Sequence, residues 1–92
     1  MNAALDEGDR ALVGSLAQRL MKTFSSVGDR LELSDAGQTQ LVRFLDHLGT
    51  RRGRELAIGT LVQFAYVLET KYDSAAASGR LLALANNLLP SQ

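Results

Sequence analysis

Pro90 is the only proline in the chain and stands two residues from its end. Everything before it is free of the one side chain that both lacks a backbone donor and clashes with the preceding helical turn. The apolar residues point the same way. Leucine occurs 17 times, against five valines and one isoleucine, whereas a strand-rich domain draws on β-branched residues. The sequence predicts an all-α fold: a compact bundle of four helices, or of three long helices with a short C-terminal fourth.

A chain of 92 residues has room for one hydrophobic core. Residues 1–92 are therefore expected to form a single helical domain, with ragged ends over about 1–8 and 90–92. A hydrophobic fraction of 46% separates the chain from disordered segments. With no cysteine and one histidine, it has no means to build a disulfide framework, a thiolate nucleophile or a histidine-rich metal centre. No cofactor is expected. Ten basic and ten acidic residues cancel, leaving no overall field to draw the chain onto nucleic acid or a membrane. The longest apolar run falls far short of the roughly 20 residues that span a bilayer. The opening MNAALDEGDR is acidic, with no basic stretch ahead of an apolar one, so no signal peptide is read there. A cytoplasmic location is the resulting expectation.

Apolar periodicity divides the chain into four segments. Leu12, Val13, Leu16, Ala17, Leu20 and Phe24 share one stripe at helical spacing and predict a first helix from about Asp9 to Phe24. Asp9 is read as its N-cap, with Leu5 in an approach segment. Ser25-Ser26-Val27-Gly28-Asp29 is a turn by composition. Arg30-Leu31-Glu32-Leu33 alternates for only four residues and is read as an extended loop pinned by its two leucines. Ser34 is the predicted N-cap of a second helix, about Asp35 to Leu48, with Leu41, Phe44, Leu45 and Leu48 facing inward. Gly37 falls on that stripe, where a missing side chain lets another backbone approach. Gly49 is read as the residue that closes the helix end.

The third helix is predicted over about Arg54 to Tyr72, with Ala57, Ile58, Leu61, Phe64, Ala65, Leu68 and Tyr72 on its main stripe. Val62 and Tyr66 lie off one edge of that stripe, and Leu56 and Val67 off the other. A helix apolar on several sides is buried on several sides. It is therefore expected to be the least exposed helix, or to meet another chain, and Phe64 is expected in the core. The fourth helix covers about Ser78 to Leu89, with Leu81, Leu84, Ala85 and Leu88 inward and Leu82 and Leu89 widening the stripe. Asp73-Ser74 leaves open whether the third and fourth helices are continuous.

Arg51, Arg52 and Arg54 form the tightest charge cluster, with Arg43 one or two turns earlier. Guanidiniums are forked donors, and a helix start adds free N–H groups. This arginine loop is therefore the candidate contact for phosphate or nucleic acid. The competing reading is a solvated connection in which Arg51 pairs with Glu55 at i,i+4. No aromatic residue stands among the arginines to stack a base. His47, the only imidazole, is the natural candidate for a general base. It projects beside Gln40 and Arg43, off the inner stripe, with no serine placed locally as a nucleophile. Glu69 and Asp73 can share a cation at i,i+4 but have no further ligand nearby. The third helix is too apolar to serve as a recognition helix in a major groove. The glycines fit neither a dinucleotide fingerprint nor a phosphate-binding loop.

Catalysis needs a base, a nucleophile or a metal held in place, and these residues do not converge on one. The chain is expected not to be an enzyme. What remains is apolar excess, because soluble monomers seldom expose large contiguous apolar surface. Val62, Tyr66 and Val67 on the third helix, with Leu82 and Leu89 on the fourth, are the candidate protein interface. The leading expectation is a small non-enzymatic helical interaction module, acting as a homodimer or as a subunit or regulator of a larger protein assembly, without membrane contact. The alternative is an accessory nucleic-acid- or phosphate-binding protein that uses Arg43, Arg51, Arg52 and Arg54.

Overall fold

Residues 7–28 and 30–89 are described by the structure, a computed structural model. Four helices follow in order: α1 (Glu7–Thr23), α2 (Asp35–Asp46), α3 (Arg51–Lys71) and α4 (Ala75–Asn87). Between α1 and α2 lies an antiparallel hairpin of β1 (Phe24–Val27) and β2 (Arg30–Leu33). The chain is thus mostly helical, as its leucine periodicity predicts, with one small sheet that the periodicity does not. The expectations for Leu5, Asp29 and Pro90 fall outside the described residues.

The hairpin corrects the reading of 25–33 as a turn followed by a loop. Its register sets Phe24 opposite Leu33, Ser25 opposite Glu32, Ser26 opposite Leu31 and Val27 opposite Arg30. Strand side chains alternate faces, so Phe24, Ser26, Leu31 and Leu33 share the inner face. Ser25, Val27, Arg30 and Glu32 share the outer face, and all four are exposed. Gly28 turns the chain at φ 62°, a left-handed conformation that short hairpin connections need and glycine adopts without strain. Leu31 and Leu33 do pin this segment to the protein, but as part of a strand. The N–H of Leu31 points away from β1 and donates to Ser74 Oγ at 2.9 Å.

The core is one cluster drawn from every helix and from β2. Leu16 and Leu20 come from α1, Leu33 from β2, and Leu41 and Leu45 from α2. Ala57, Leu61, Ala65 and Leu68 come from α3; Ala77, Leu81, Leu84 and Ala85 come from α4. Within each helix these residues recur at three or four positions, which places them on one side. Leu16, Leu20, Leu41, Leu61 and Leu81 are completely buried, each contributing about 1.5–3 kcal/mol. The helix α3 packs most broadly on α4 and also on α1, while α2 packs on α1. The start of α1 meets the start of α3, through Asp9 and Arg52, so these two helices run parallel. Leu88 and Leu89, just past the end of α4, return beside Ile58 near the start of α3.

Helix ends follow side-chain chemistry, with four departures from expectation. Ser34 caps α2 as predicted, its Oγ accepting from the N–H of Gly37 at 3.0 Å. Asp9 is not an N-cap: α1 starts at Glu7, and the Asp9 carboxylate is drawn to Arg52 instead. The helix α3 begins at Arg51, because Thr50 Oγ1 accepts from Gly53 N–H at 2.9 Å and caps it there. Gly49 does not close α2 in a left-handed turn; among the described residues only Gly28 and Asp73 have positive φ. Asp73, at φ 49°, separates α3 from α4, which begins at Ala75 rather than Ser78. Ser74 occupies the cap position of α4 but spends its hydroxyl elsewhere, accepting from Leu31 and donating to Tyr72 O at 3.0 Å.

The third helix is not buried all round. Its buried line is Gly53, Ala57, Leu61, Ala65 and Leu68, and the opposite side faces outward. Phe64, expected in the core, is only partly buried at the edge of the cluster. Gly37 does bring two helices together: a Cβ there would stand 2.8 Å from Thr23 Cβ.

Candidate functional site

The arginines that the sequence groups together do not form one site. Arg51, Arg52 and Arg54 lie in the first turn of α3, not in a loop. Arg51 Nε pairs with Glu55 at 3.4 Å, the i,i+4 contact that the spacing allows. Arg52 reaches Asp9 across 3.0 Å, fastening α3 to α1. The free N–H of Gly53 is already taken by Thr50. Arg54, with Arg51 and Glu55, borders a depression of about 450 Å³ whose apolar wall is Ile58, Leu88 and Leu89. Arg43 lies elsewhere, on the flank of α2 that faces α1.

The five candidate interface residues divide between two surfaces. Val62 and Tyr66 are 45% and 63% exposed, and Leu82 and Leu89 are 44% and 52% exposed. Arg80 reaches from α4 to Asp35 and Gln38 of α2, and Leu89, on the opposite side, lies beside Ile58 of α3. Val62 follows Ile58 by one turn on α3. Leu89 therefore borders the seam between α3 and α4, while Val62, Tyr66 and Leu82 are exposed on the outer faces of these two helices. Val67 belongs to the second surface. It is half-buried in a depression of about 370 Å³ between the end of α1, the hairpin and α3, with Met21, Phe24, Leu31, Phe64 and Tyr72. Helical spacing already separates Val67 from Val62 and Tyr66; the depression it lines exists only once the hairpin folds back on α3.

A third feature is a polar groove between α1 and α2. Ser15, Gln18, Arg19 and Lys22 line it from α1, and Gln40, Arg43, Phe44 and His47 from α2. His47 stands beside Gln40 and Arg43, as its helical projection predicts; its Nδ1 lies 2.6 Å from the Arg43 carbonyl oxygen. The guanidinium carbon of Arg19 sits 4.6 Å from the centre of the Phe44 ring. Arg19 and Lys22 were not singled out from the sequence. Their signal was the polar repeat at 15, 18, 19 and 22, the counterpart of the apolar stripe on the other side of α1.

The described residues include no group of three or more His, Asp or Glu side chains placed to hold a metal. No described helix is long and apolar enough to cross a membrane. Comparison with protein-family models, with curated proteins and with solved structures finds no match to this chain.

Proposed function

We propose that this chain is a small non-enzymatic interaction module, a helical bundle that works through its helix surfaces as a homodimer or as a subunit or regulator of a larger protein assembly. The observation that carries this reading is the exposure of four large apolar side chains on the paired helices, Val62 and Tyr66 on α3 and Leu82 and Leu89 on or just past α4. Apolar surface of this kind favours association. A second copy is the partner of choice. Two helices that present one seam can pack against the same seam through a two-fold axis, the commonest closed arrangement. Gly59, one turn before Val62, has open space above it and admits a neighbouring helix. Tyr66 offers an aromatic body with a polar tip, suited to a surface buried only on association. A stable dimer must bury at least about 1,000 Å² in total.

The arginine reading has less support at the start of α3. Two of its three guanidiniums already meet carboxylates, and exposed pairs of this kind neutralise charge without creating a receptor.

Light scattering at micromolar concentration tests the dimer. Twice the single-chain mass is expected, reverting to one chain in the Val62→Glu, Tyr66→Glu double variant. A single-chain mass that does not rise with concentration would overturn the homodimer.

A further inference from the structure

We infer that the groove between α1 and α2 binds the backbone of a single-stranded nucleic acid. The inference stands apart from the dimer reading, which concerns the α3–α4 seam. Two adjacent depressions, of about 260 and 370 Å³, share Arg19 and Gln40 and together make up the groove. Three permanent cations line it, Arg19 and Lys22 from one bank and Arg43 from the other, and among the described residues no carboxylate does. The chain carries as many acidic as basic residues, so this separation is local.

The state of these cations matters as much as their number. Arg51, Arg52 and Arg80 each meet a carboxylate. Lys22 and Arg43 have no ion-pair or hydrogen-bond partner for their side chains among the described residues. Each lies in the last turn of its helix, where a cation meets the negative end of the helix dipole. That accounts for a positive charge at each end but not for their facing the same groove.

The shape selects the ligand. The lining residues from 15 to 22 extend about 10 Å along α1, enough for about two consecutive nucleotides of an extended strand and the phosphates that flank them. A concave groove between two helices admits one strand, whereas a duplex or a membrane surface meets only its rims. The guanidinium of Arg19 is anchored over the Phe44 ring, and bases stack on guanidinium and aromatic planes. The amides of Gln18 and Gln40 offer both donors and acceptors to base edges or phosphate oxygens. A purely acidic peptide would use the cations and leave the stacking plane and amides idle.

Fluorescence anisotropy with labelled oligo-dT and oligo-U of about twelve nucleotides tests this. Binding is expected at about 20 mM salt, weakening with a log–log slope of about −2 for three phosphate contacts on a single strand. The Lys22→Gln, Arg43→Gln double variant should bind at least about 10-fold more weakly, with a slope of about −0.7 for the one remaining contact. Both substitutions lie on exposed helix faces, and circular dichroism should report an unchanged fold. The Arg51→Gln, Arg54→Gln variant should bind like the parent, and so should Val62→Glu, Tyr66→Glu, whether or not the chain dimerises. Absence of binding at low salt, or equal binding by the Lys22, Arg43 variant, would overturn the inference. So would equal affinity for a duplex of the same length, or displacement by polyglutamate as effective as by unlabelled oligonucleotide.

Discussion

Gly14 and Gly37 both lie inside helices, yet alanine should act on them with opposite sign. At Gly14 an added Cβ meets nothing within 4 Å, so Gly14→Ala gains helix propensity and should stabilise by about 1 kcal/mol. At Gly37 the same atom would stand 2.8 Å from Thr23 Cβ and 3.1 Å from the Thr23 carbonyl oxygen. Neither is the far end of a flexible side chain, so α1 and α2 must move apart. Overpacking of this kind costs about 1–3 kcal/mol, more than the propensity returns. Gly37→Ala should lower the urea midpoint while Gly14→Ala raises it; shifts of the same sign would show that the α1–α2 contact is not this close. A second contrast lies on α3. Leu61 is completely buried, and Leu61→Ala should cost about 3–4 kcal/mol. Phe64 lines an open depression, and Phe64→Ala should cost only about 2 kcal/mol, less than a fully buried aromatic. Equal losses in a denaturation series would place Phe64 in the core after all.

At the scale of elements, Ser74 decides how the hairpin is held. Its N–H donates to Leu68 O at 2.8 Å, across the break between α3 and α4. Its buried hydroxyl accepts from Leu31 in β2. One side chain thus couples the hairpin edge to the joint of two helices. Two-stranded hairpins are marginal alone, so this bond and the inward Leu31 and Leu33 keep the strands in place. Ser74→Ala should cost about 1–2 kcal/mol, because the Leu31 donor loses its partner in a partly buried setting. Amide exchange checks the location: Leu31 should exchange faster, while mid-α3 amides such as Leu61 keep their relative protection. Unchanged exchange at Leu31 would show that the hairpin does not depend on Ser74.

At the scale of the whole molecule, association and stability should be linked. If two copies pair through the α3–α4 seam, folding and dimerisation share one equilibrium, and Tm rises with protein concentration. The parent chain should show that rise, whereas Val62→Glu, Tyr66→Glu should melt at a temperature independent of concentration. A concentration-independent Tm in the parent would count against the dimer. The bridges from Arg52 to Asp9 and from Arg80 to Asp35 hold helices in relation, and the exposed Arg80 pair adds little, since such pairs are worth about 0–1 kcal/mol. The order of the helices rests instead on the shared leucine core.

What the sequence determined by itself is what depends on neighbours three or four residues away. The four helices and the leucines of their inner stripes, the Ser34 cap, the Arg51–Glu55 pair and the placing of His47 beside Arg43 all follow from helical spacing, whereas Phe64 and Tyr72 at the edge of the α3 stripe stay partly buried and exposed. Tertiary structure alone decided what needed a distant partner. The alternation at 30–33 was visible, but a strand exists only against Phe24–Val27, a segment whose end-of-helix and turn composition concealed it. Asp9 left its cap role for an arginine 43 residues away. Val67 is half-buried while Val62 and Tyr66 are exposed because the hairpin covers one flank of α3 and leaves the other open. Arg43 parted from the other arginines because α2 turns that flank towards α1, where Arg19 and Lys22 wait on the opposite bank. Periodicity assigns residues to the faces of a helix; which face meets another element, and which meets solvent, is set by contacts that no local spacing encodes.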